Sequence, residues 1–355
     1  MGLFGNKQIK AFGLDISDTS VKVMQLEATP TGFLPSAFSS VAISDKVIKN
    51  NMIINEQKLA DHVRAAVAAA GRINTSYAVC SLPEGKSFVH NLSLPPMADS
   101  EIDGAIPFEL EQEIPIPMDQ VYLDWQIIKR TTEKLELLVM ASPKAYVDAL
   151  VESLRMAHIT PIAMELESQA TARSLISAAT VPANVLIVDL ATKQTSFIIV
   201  ENGIIQYTSS IPLAGRAMTE NIAREFNISL DSAEQLKQGA GLIAQVEGVS
   251  IHQALTPVLD GLIDEIRKIL KFFSDREAGQ KTIDTILLCG GTAKLAGISE
   301  YLSGKINTEA GGGVSVQLGN PWANISPSIT IQPIEALGFT TVTGLALRGV
   351  KYEAN

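Results

Sequence analysis

Apolar residues recur along this chain with two different periods, and the period separates predicted helices from predicted strands. In residues 55–71, Leu59, Val63 and Val67 follow one another at steps of four, which predicts an amphipathic helix that Gly71 ends. Residues 144–157 show the same helical period. Both segments therefore need a partner surface on which to bury one face.

Further helices are predicted in the second half of the chain. Residues 257–273 carry the widest apolar face, and Pro257 is expected in the first turn of that helix. Residues 333–349 predict a final helix. The apolar run at 77–80 and the largely apolar segment 283–289 predict buried strands, so the chain is predicted to be mixed α/β.

One strand–turn–strand pattern occurs twice. The first turn, Gly13–Lys22, lies between two apolar runs and carries Asp15 with several hydroxyl residues. The second follows the apolar run Val185–Leu190, which carries Asp189, and continues through the polar residues 191–195 into another apolar run. Small residues let backbone N–H groups approach a phosphate, hydroxyls add donors, and an Asp can hold Mg2+ through water.

The same turns have a simpler interpretation, because Ser, Thr and Asp are also typical of ordinary hairpin turns. The repetition favours phosphate binding, since two such turns facing each other could clamp a polyphosphate.

Two further motifs each have a functional and a purely structural interpretation. Gly290-Gly291, after the second buried strand, allows close approach to a ring or ribose but also suits a plain loop. Glu234 and Lys237 could meet ribose hydroxyls or form a solvated surface pair.

Residues 86–158 have a different character. A strand at 88–94 precedes a helix in which Ser100 is predicted as the N-cap, Pro107 as an interruption, and Pro115 with Pro117 as the end. Two strands and the helix at 144–157 follow, and no Gly/Ser linker flanks the segment. The predicted domains are a first lobe at 1–85 with about 159–180 and 333–355, an inserted α+β subdomain at 86–158, and a second lobe at 181–332.

The composition and net charge narrow the classes of function that the chain can have. The 355 residues are 46% hydrophobic and 19% charged, which is typical of a globular protein, and the net charge of −10 argues against a nucleic-acid surface. No apolar run of about 20 residues is present, so no transmembrane segment is expected. Cys80 and Cys289 end apolar runs and are expected to be buried free thiols in a cytosolic protein. The four histidines show no metal-ligand spacing.

Taken in order, these motifs resemble the actin-like ATPase superfamily, in which two related lobes close on a nucleotide. Within it the chain resembles the PilM family, the cytoplasmic actin-like components of the type IV pilus machinery. The resemblance covers nearly the whole chain and rests on these segments: Met1–Gly5, Gly13–Ser17, Ile106–Glu109 through Ile114-Pro115, Glu165–Arg173, Ala233–Lys237 and Leu287–Gly297. It implies an actin-like (RNase H-like) two-lobe α/β fold that binds ATP with Mg2+.

The resemblance also implies roles for individual residues. The first phosphate loop corresponds to Asp15, Ser17, Thr19, Ser20 and Lys22, and the second to Asp189, Ala191, Thr192 and Thr195. The ribose and adenine contacts correspond to Gly215, Glu234, Lys237, Gly290, Gly291 and Thr292. Asp15 and Asp189 would hold Mg2+ through water, and Glu167 would orient the attacking water. Because Ala191 stands where the superfamily usually has Gly, nucleotide binding is expected more firmly than efficient hydrolysis.

In the PilM family the inserted subdomain helps to form a groove for the cytoplasmic N-terminus of the membrane protein PilN. Glu109, Glu111 and Glu113 are the candidate groove residues here, since their charge suits a basic peptide. A cytoplasmic protein held at the inner membrane by this partner is expected. Other pilus platform and motor components, and a second copy of the chain, are further expected partners.

Several functions stay open at this point. Type IV pili drive twitching motility, and the same components serve related secretion systems. The alternatives are an FtsA-like cell-division protein, a small-molecule kinase of the actin superfamily and a nucleotide-free pseudo-ATPase. No clear catalytic base for a kinase is found, and the chain ends without a basic amphipathic helix of the FtsA type.

Overall fold

The computed structural model of this protein describes residues 10–111, 113–177, 184–242, 244–246, 249–275, 281–309, 313–325 and 332–351. The motif at Met1–Gly5 lies outside them. The chain forms two compact units, each described by itself below. Unit 1 is Met1–Arg173 with Thr341–Asn355, and unit 2 is Ser174–Thr340.

The strands are β1 Phe12–Ile16, β2 Ser20–Thr29, β3 Gly32–Ala42, β4 Ile48–Lys49, β5 Met52–Ile53, β6 Tyr77–Leu82, β7 Phe88–Leu94, β8 Val121–Arg130, β9 Leu135–Pro143, β10 Thr160–Leu166, β11 Asn184–Leu190, β12 Thr195–Glu201, β13 Ile204–Ile211, β14 Gln245–Val246, β15 Val249–Ser250, β16 Thr285–Cys289 and β17 Ser315–Leu318. The helices are α1 Glu56–Ala70, α2 Asp99–Leu110, α3 Lys144–Met156, α4 Glu167–Leu175, α5 Gly215–Phe226, α6 Leu230–Ala240, α7 Ile251–Asp275, α8 Ile298–Glu309, α9 Pro333–Ala336 and α10 Thr340–Lys351.

The main sheet of unit 1 has the order β10-β6-β1-β2-β3 in the described part of the chain. Strands β1, β2 and β3 are antiparallel neighbours, whereas β6 and β10 continue the sheet in parallel. One face packs on α1 and α3 through residues such as Phe12, Leu59 and Leu150. A cluster of Ala11, Val79, Ala170 and Leu345 joins the sheet to α4 and α10.

The inserted part of unit 1 has a core of its own. Its sheet has the order β7-β9-β8, and α2 packs on it through Ile102, Ile106 and Leu110. Helix α3 was predicted to belong to the insertion, but it contributes Tyr146 and Leu150 to the core of the main sheet. The helical period of α3 shows that one face is buried, but it does not show against which sheet.

Helix α2 differs from its prediction at both ends. It begins at Asp99 with Ala98 as N-cap, and the Glu101 carboxylate accepts the Ala98 N–H at 2.9 Å, so Ser100 is not the cap. The helix is not interrupted at Pro107, and it ends at Leu110, before Pro115 and Pro117, which were predicted to end it. A proline inside a helix removes one hydrogen bond, and burial of the apolar face compensates here.

Helix α7 likewise begins earlier than predicted. Its first residue is Ile251, so Pro257 lies inside the helix and not in its first turn.

The predicted helix α1 is confirmed, with the Asn55 side chain accepting the Lys58 N–H at 2.8 Å. Strands β10 and β17 were not predicted, because each is short and only partly buried.

Unit 2 repeats the sheet connectivity of unit 1. The strand order is β13-β12-β11-β16-β17 within the described residues, again with three antiparallel strands followed by two parallel ones. Helix α7 buries a wide stripe that includes Leu259, Ile263 and Ile266. The repeated strand–turn–strand of the sequence thus corresponds to β1–β2 in unit 1 and β11–β12 in unit 2.

Both cysteines are buried free thiols, as predicted. Burial raises the pKa of Cys80 to about 12. In the described part of the chain, no helix combines the length and the apolar character needed to cross a bilayer.

Candidate functional site

The first polar turn is built around the Asp15 carboxylate, which is 5% exposed. The Ser81 hydroxyl at the end of β6 donates to Asp15 Oδ1 at 3.0 Å and accepts the Ile16 N–H at 3.1 Å. Lys22 stands opposite Asp15 in the β1–β2 ladder, and its Nζ lies 3.6 Å from Asp15 Oδ2. The Asp15 carboxylate is therefore fixed by a hydroxyl group at one oxygen and faces an ammonium group at the other.

The hydroxyl residues of this turn hold one another in place. Ser17 Oγ donates to the Ser20 carbonyl at 3.2 Å and accepts the N–H groups of Ser20 at 3.2 Å and Thr19 at 3.4 Å. The Thr19 and Ser20 hydroxyls lie 3.5 and 3.3 Å from Ser17 Oγ. Asp18, which was not among the predicted site residues, accepts the Asn51 N–H of the β4–β5 hairpin at 2.8 Å.

Glu167 is the first residue of α4, and Glu84 holds its side chain. Glu167 Oε2 accepts the Glu84 N–H at 3.3 Å, while Glu84 Oε2 accepts the Ser168 N–H at 3.4 Å. The pKa of the buried Tyr146 hydroxyl is raised by burial first and then by the charges of Glu167, Asp18 and Asp15. The structure therefore places Glu167 in the same region of unit 1 as the first turn.

Unit 2 brings the second polar turn onto the first turn of α5. The Ala191 carbonyl accepts the Gly215 N–H at 3.2 Å and the Thr292 hydroxyl at 3.0 Å. The Thr192 carbonyl accepts the Arg216 N–H at 2.7 Å. Thr195 at the start of β12 donates its hydroxyl to the Leu213 carbonyl at 2.5 Å.

Ala191 introduces no backbone strain. The described non-glycine residues with positive φ are Asn50, Asn51, His158, Asn202 and Asn227, so Ala191 has an ordinary φ. A glycine is therefore not required at position 191 by the conformation of the loop itself.

At two other positions, Gly290 and Gly215, the surrounding atoms leave no room for a side chain. Gly290 has φ of 85°, and a Cβ there would lie 2.3 Å from Asp189 Oδ1 and 2.5 Å from the Leu190 carbonyl oxygen. A Cβ at Gly215 would lie 2.3 Å from Thr292 Oγ1. A Cβ at Gly291 would meet no described atom within 4 Å. The positions of Asp189 and Thr292 thus depend on the absence of side chains at Gly290 and Gly215.

Glu234 and Lys237 of α6 join this arrangement instead of lying apart on the surface. Lys237 Nζ donates to Glu234 Oε2 at 2.7 Å, and the Thr219 hydroxyl contacts the same oxygen. Burial by itself raises the pKa of Glu234, but hydrogen bonds from Lys237 and Thr219 outweigh that effect and lower it overall. Ala191, Thr192, Gly215, Glu234, Lys237 and Thr292 are therefore linked in unit 2 by hydrogen bonds that run through the start of α5.

Among the described residues, no group of three or more His, Cys, Asp or Glu side chains is arranged to hold a metal ion directly. Asp15 and Asp189, the predicted partners of Mg2+, are at equivalent positions of β1 and β11 in their respective units. Ser81 and Glu84 were missed by sequence reasoning. Neither belongs to a motif, and only the fold places them beside Asp15 and Glu167.

Unit 1 also contains a cavity of about 500 Å3 beside the inserted sheet. The consecutive residues Tyr122–Gln126 of β8 line it, and β8 is an edge strand. Successive side chains of a strand point to opposite faces of the sheet. Because consecutive residues of β8 line the cavity, both faces of this strand border it, and so does the edge between them. The remaining lining residues are Leu82, Met140, Ala141, Ser142, Val147, Met164, Glu165, Leu166, Gln169, Arg173 and Arg348.

The charged wall of this cavity is an ion-pair network. Arg173 and Arg348 both pair with Glu165, whose side chain is 1% exposed. The predicted groove residues Glu109, Glu111 and Glu113 do not line the cavity. They are exposed at the end of α2, where Glu113 meets His90 Nδ1 at 2.9 Å.

A family model described as type IV pilus assembly protein PilM matches residues 13–350. The chain belongs to the PilM family. A solved structure of a PilM-PilN type IV pilus biogenesis complex has a TM-score of 0.82 at 26% identity, over 97% of this chain and 99% of that one. The resemblance to PilM inferred from the motifs is confirmed.

More distant relatives show how far the fold extends. A cell division protein FtsA of Pseudomonas aeruginosa is 29% identical over 153 residues, which are 38% of this chain and 37% of FtsA. The match thus spans little more than a third of that relative. MreB5 of Spiroplasma citri bound to ADP has a TM-score of 0.56 at 12% identity over 97% of both chains. These likenesses confirm the predicted actin-like fold for this PilM-family chain.

Proposed function

We propose that this chain is an ATP-binding scaffold of the type IV pilus assembly complex, which docks the cytoplasmic N-terminus of a PilN-like membrane protein. The observation that carries the proposal is the cavity along the β8 edge of the inserted sheet, in a chain that aligns over 97% of its length with a PilM-PilN complex. An exposed strand edge can add an extended peptide as a further strand through backbone hydrogen bonds.

The negative charge of the inserted subdomain supports a basic partner. Residues 86–143 contain four Lys or Arg and ten Asp or Glu, a net charge of −6 out of −10 for the whole chain. Segments that precede a transmembrane helix on the cytoplasmic side are rich in Lys and Arg. An acidic subdomain therefore suits such a segment, and it would hold the protein at the inner membrane through the partner.

The proposal also includes ATP binding, and its candidate residues are given for each unit by itself. In unit 2, Glu234 and the Gly290-Gly291 turn meet the nucleoside, and the 191–195 loop meets phosphates. In unit 1, Asp15 and the hydroxyl turn provide phosphate and hydrated Mg2+ contacts. Mg2+ would supply charge neutralisation of the phosphates. Glu167 would orient a water molecule in a slow hydrolysis.

The test of partner docking is a titration of the full-length protein with a fluorescent peptide of the partner's cytoplasmic N-terminus, with and without MgATP. Saturable binding is expected. Asp124→Lys, an exposed substitution on the cavity-lining strand, should weaken it because it opposes a basic ligand. Glu133→Lys makes the same charge change in the same subdomain, at a residue that does not line the cavity.

Equal loss in Asp124→Lys and Glu133→Lys would place the peptide outside the cavity and favour a diffuse charge effect. No peptide binding by the wild-type protein would contradict the docking proposal. A change of peptide affinity with MgATP would show that the two ligands are coupled, with the same coupling free energy in both directions.

A further inference from the structure

The ammonium group of Lys237 uses all its donors within the protein. Its Nζ lies 3.0 Å from the Gly215 carbonyl, 2.9 Å from Thr219 Oγ1 and 2.7 Å from Glu234 Oε2. An ammonium group has three N–H donors, and here it meets three acceptors. The Lys237 side chain is 7% exposed, so this arrangement is enclosed.

The acceptors connect Lys237 to the second polar loop. Gly215 and Thr219 lie at the start of α5, where the Thr219 hydroxyl donates to the Gly215 carbonyl, and the Gly215 N–H donates to the Ala191 carbonyl. Thr292 donates to the same carbonyl, so the loop is held from α5 and from the turn after β16. A shift of the first turn of α5 would therefore move residues 191 and 192.

The Glu234 side chain is more exposed to solvent than that of Lys237. It is 42% exposed, and its Oε1 accepts a hydrogen bond from Gln238 Nε2 at 2.9 Å. Of the two α6 residues assigned to the ribose, the carboxylate is thus the one that borders solvent.

We propose that Lys237 is a positioning residue, which fixes the 191–195 loop through the first turn of α5 and does not contact the ribose. The inference rests on the proposed ATP binding and narrows it, since the ribose contact then falls on Glu234. Removing the ammonium should disturb the contacts of the phosphates more than those of the nucleoside.

The test compares MgATP and adenosine binding to the full-length protein by calorimetry. Lys237→Met keeps the length of the side chain and removes its donors. The Kd for MgATP should rise about tenfold, an increase of one unit in log Kd, while the Kd for adenosine changes less than about twofold. Lys237→Arg should recover part of the MgATP affinity, because it restores a donor group.

Lys268→Met is the matched control, since Lys268 is an exposed partner of Glu265 on α7. Equal weakening of adenosine and MgATP by Lys237→Met would mean a direct ribose contact and overturn the proposal. Unchanged Kd values with a reduced bound fraction would mean a role in folding alone, and would also overturn it.

Amide hydrogen exchange without nucleotide keeps the inference separate from ATP binding. In Lys237→Met, faster exchange is expected at residues 191–195 and 215–219, while strands β6 and β9 of unit 1 keep their protection. If the wild-type protein bound neither MgATP nor adenosine, the ATP proposal would fail. The exchange result would still decide whether Lys237 fixes the loop, and unchanged exchange there would contradict it.

Discussion

Single residues in this protein act mainly by holding other polar groups in place. The Ser81 hydroxyl fixes both the Asp15 carboxylate and the Ile16 amide, and Lys237 holds three acceptors. Buried polar groups are costly unless they are paired. Each of these side chains therefore has both a stability role and a consequence for the geometry of the neighbouring turn.

At the scale of single residues, a substitution of Gly290 tests whether the close approach of Asp189 and Leu190 affects stability. We expect Gly290→Ala to destabilise unit 2 by about 2 kcal/mol or more, because a positive φ costs an L-residue about 1–3 kcal/mol and the new Cβ would meet Asp189 and Leu190. Urea denaturation followed by circular dichroism measures the change.

Gly291→Ala is the matched control for this prediction, since a Cβ at position 291 would meet no described atom within 4 Å and Gly291 does not have a positive φ. Its denaturation midpoint should stay close to that of the wild-type protein. Similar midpoints for the two variants would show that the close approach at Gly290 relaxes without cost.

Much of the local structure was predictable before the fold was known. The α1 helix and the two polar turns follow from residues close together in the sequence. The predicted interruption of α2 and the predicted start of α7 were wrong, because Pro107 and Pro257 are typical of helix boundaries although here burial of the helix faces outweighs one missing hydrogen bond.

At the scale of elements, one buried carboxylate joins a strand to two helices. Glu165 of β10 pairs with Arg173 of α4 and Arg348 of α10, and Arg173 also donates to the Gly344 carbonyl at 3.1 Å. Removing one member of a buried ion-pair network leaves the other members unpaired. The network therefore fixes how α4 and α10 pack on the sheet of unit 1.

We expect Glu165→Gln to lower the free energy of unfolding of unit 1 by about 2 kcal/mol. This is less than the roughly 3–5 kcal/mol for a fully buried pair, because the arginine side chains are 33% and 37% exposed. Urea denaturation provides the measurement. Glu152→Gln removes a surface partner of Arg155 on α3 and should leave the midpoint unchanged. Equal effects of the two substitutions would contradict a special role for Glu165.

At the scale of the whole molecule, the same sheet connectivity occurs in both units, and the excess negative charge is concentrated in the insertion. Residues 86–143 carry −6 of the net charge of −10. The duplicated sheets explain why the polar turn recurs after β1 and after β11. The insertion has no counterpart among the described residues of unit 2, and it is where we place partner docking.

Peptide docking should therefore weaken with salt. Raising the salt concentration from about 0.1 M to about 1 M shortens the Debye length from about 10 Å to about 3 Å, so the affinity measured by fluorescence anisotropy should fall severalfold. Asp124→Lys should reduce this salt dependence, whereas Glu220→Lys on α5 of unit 2 should not change it. A peptide affinity that does not respond to salt would point to apolar contacts in the cavity as the main source of binding.

Local sequence patterns thus determined most of the elements, the duplicated turn and the family resemblance, because each depends on residue types at short and regular spacings. Only the tertiary structure decided which side chains meet. Ser81 contacts Asp15 across 66 positions, Glu84 contacts Glu167 across 83, and α3 buries Tyr146 and Leu150 in the core of the main sheet. A periodic pattern shows that a face is buried, but the partner of that face is set by chain segments far away in sequence.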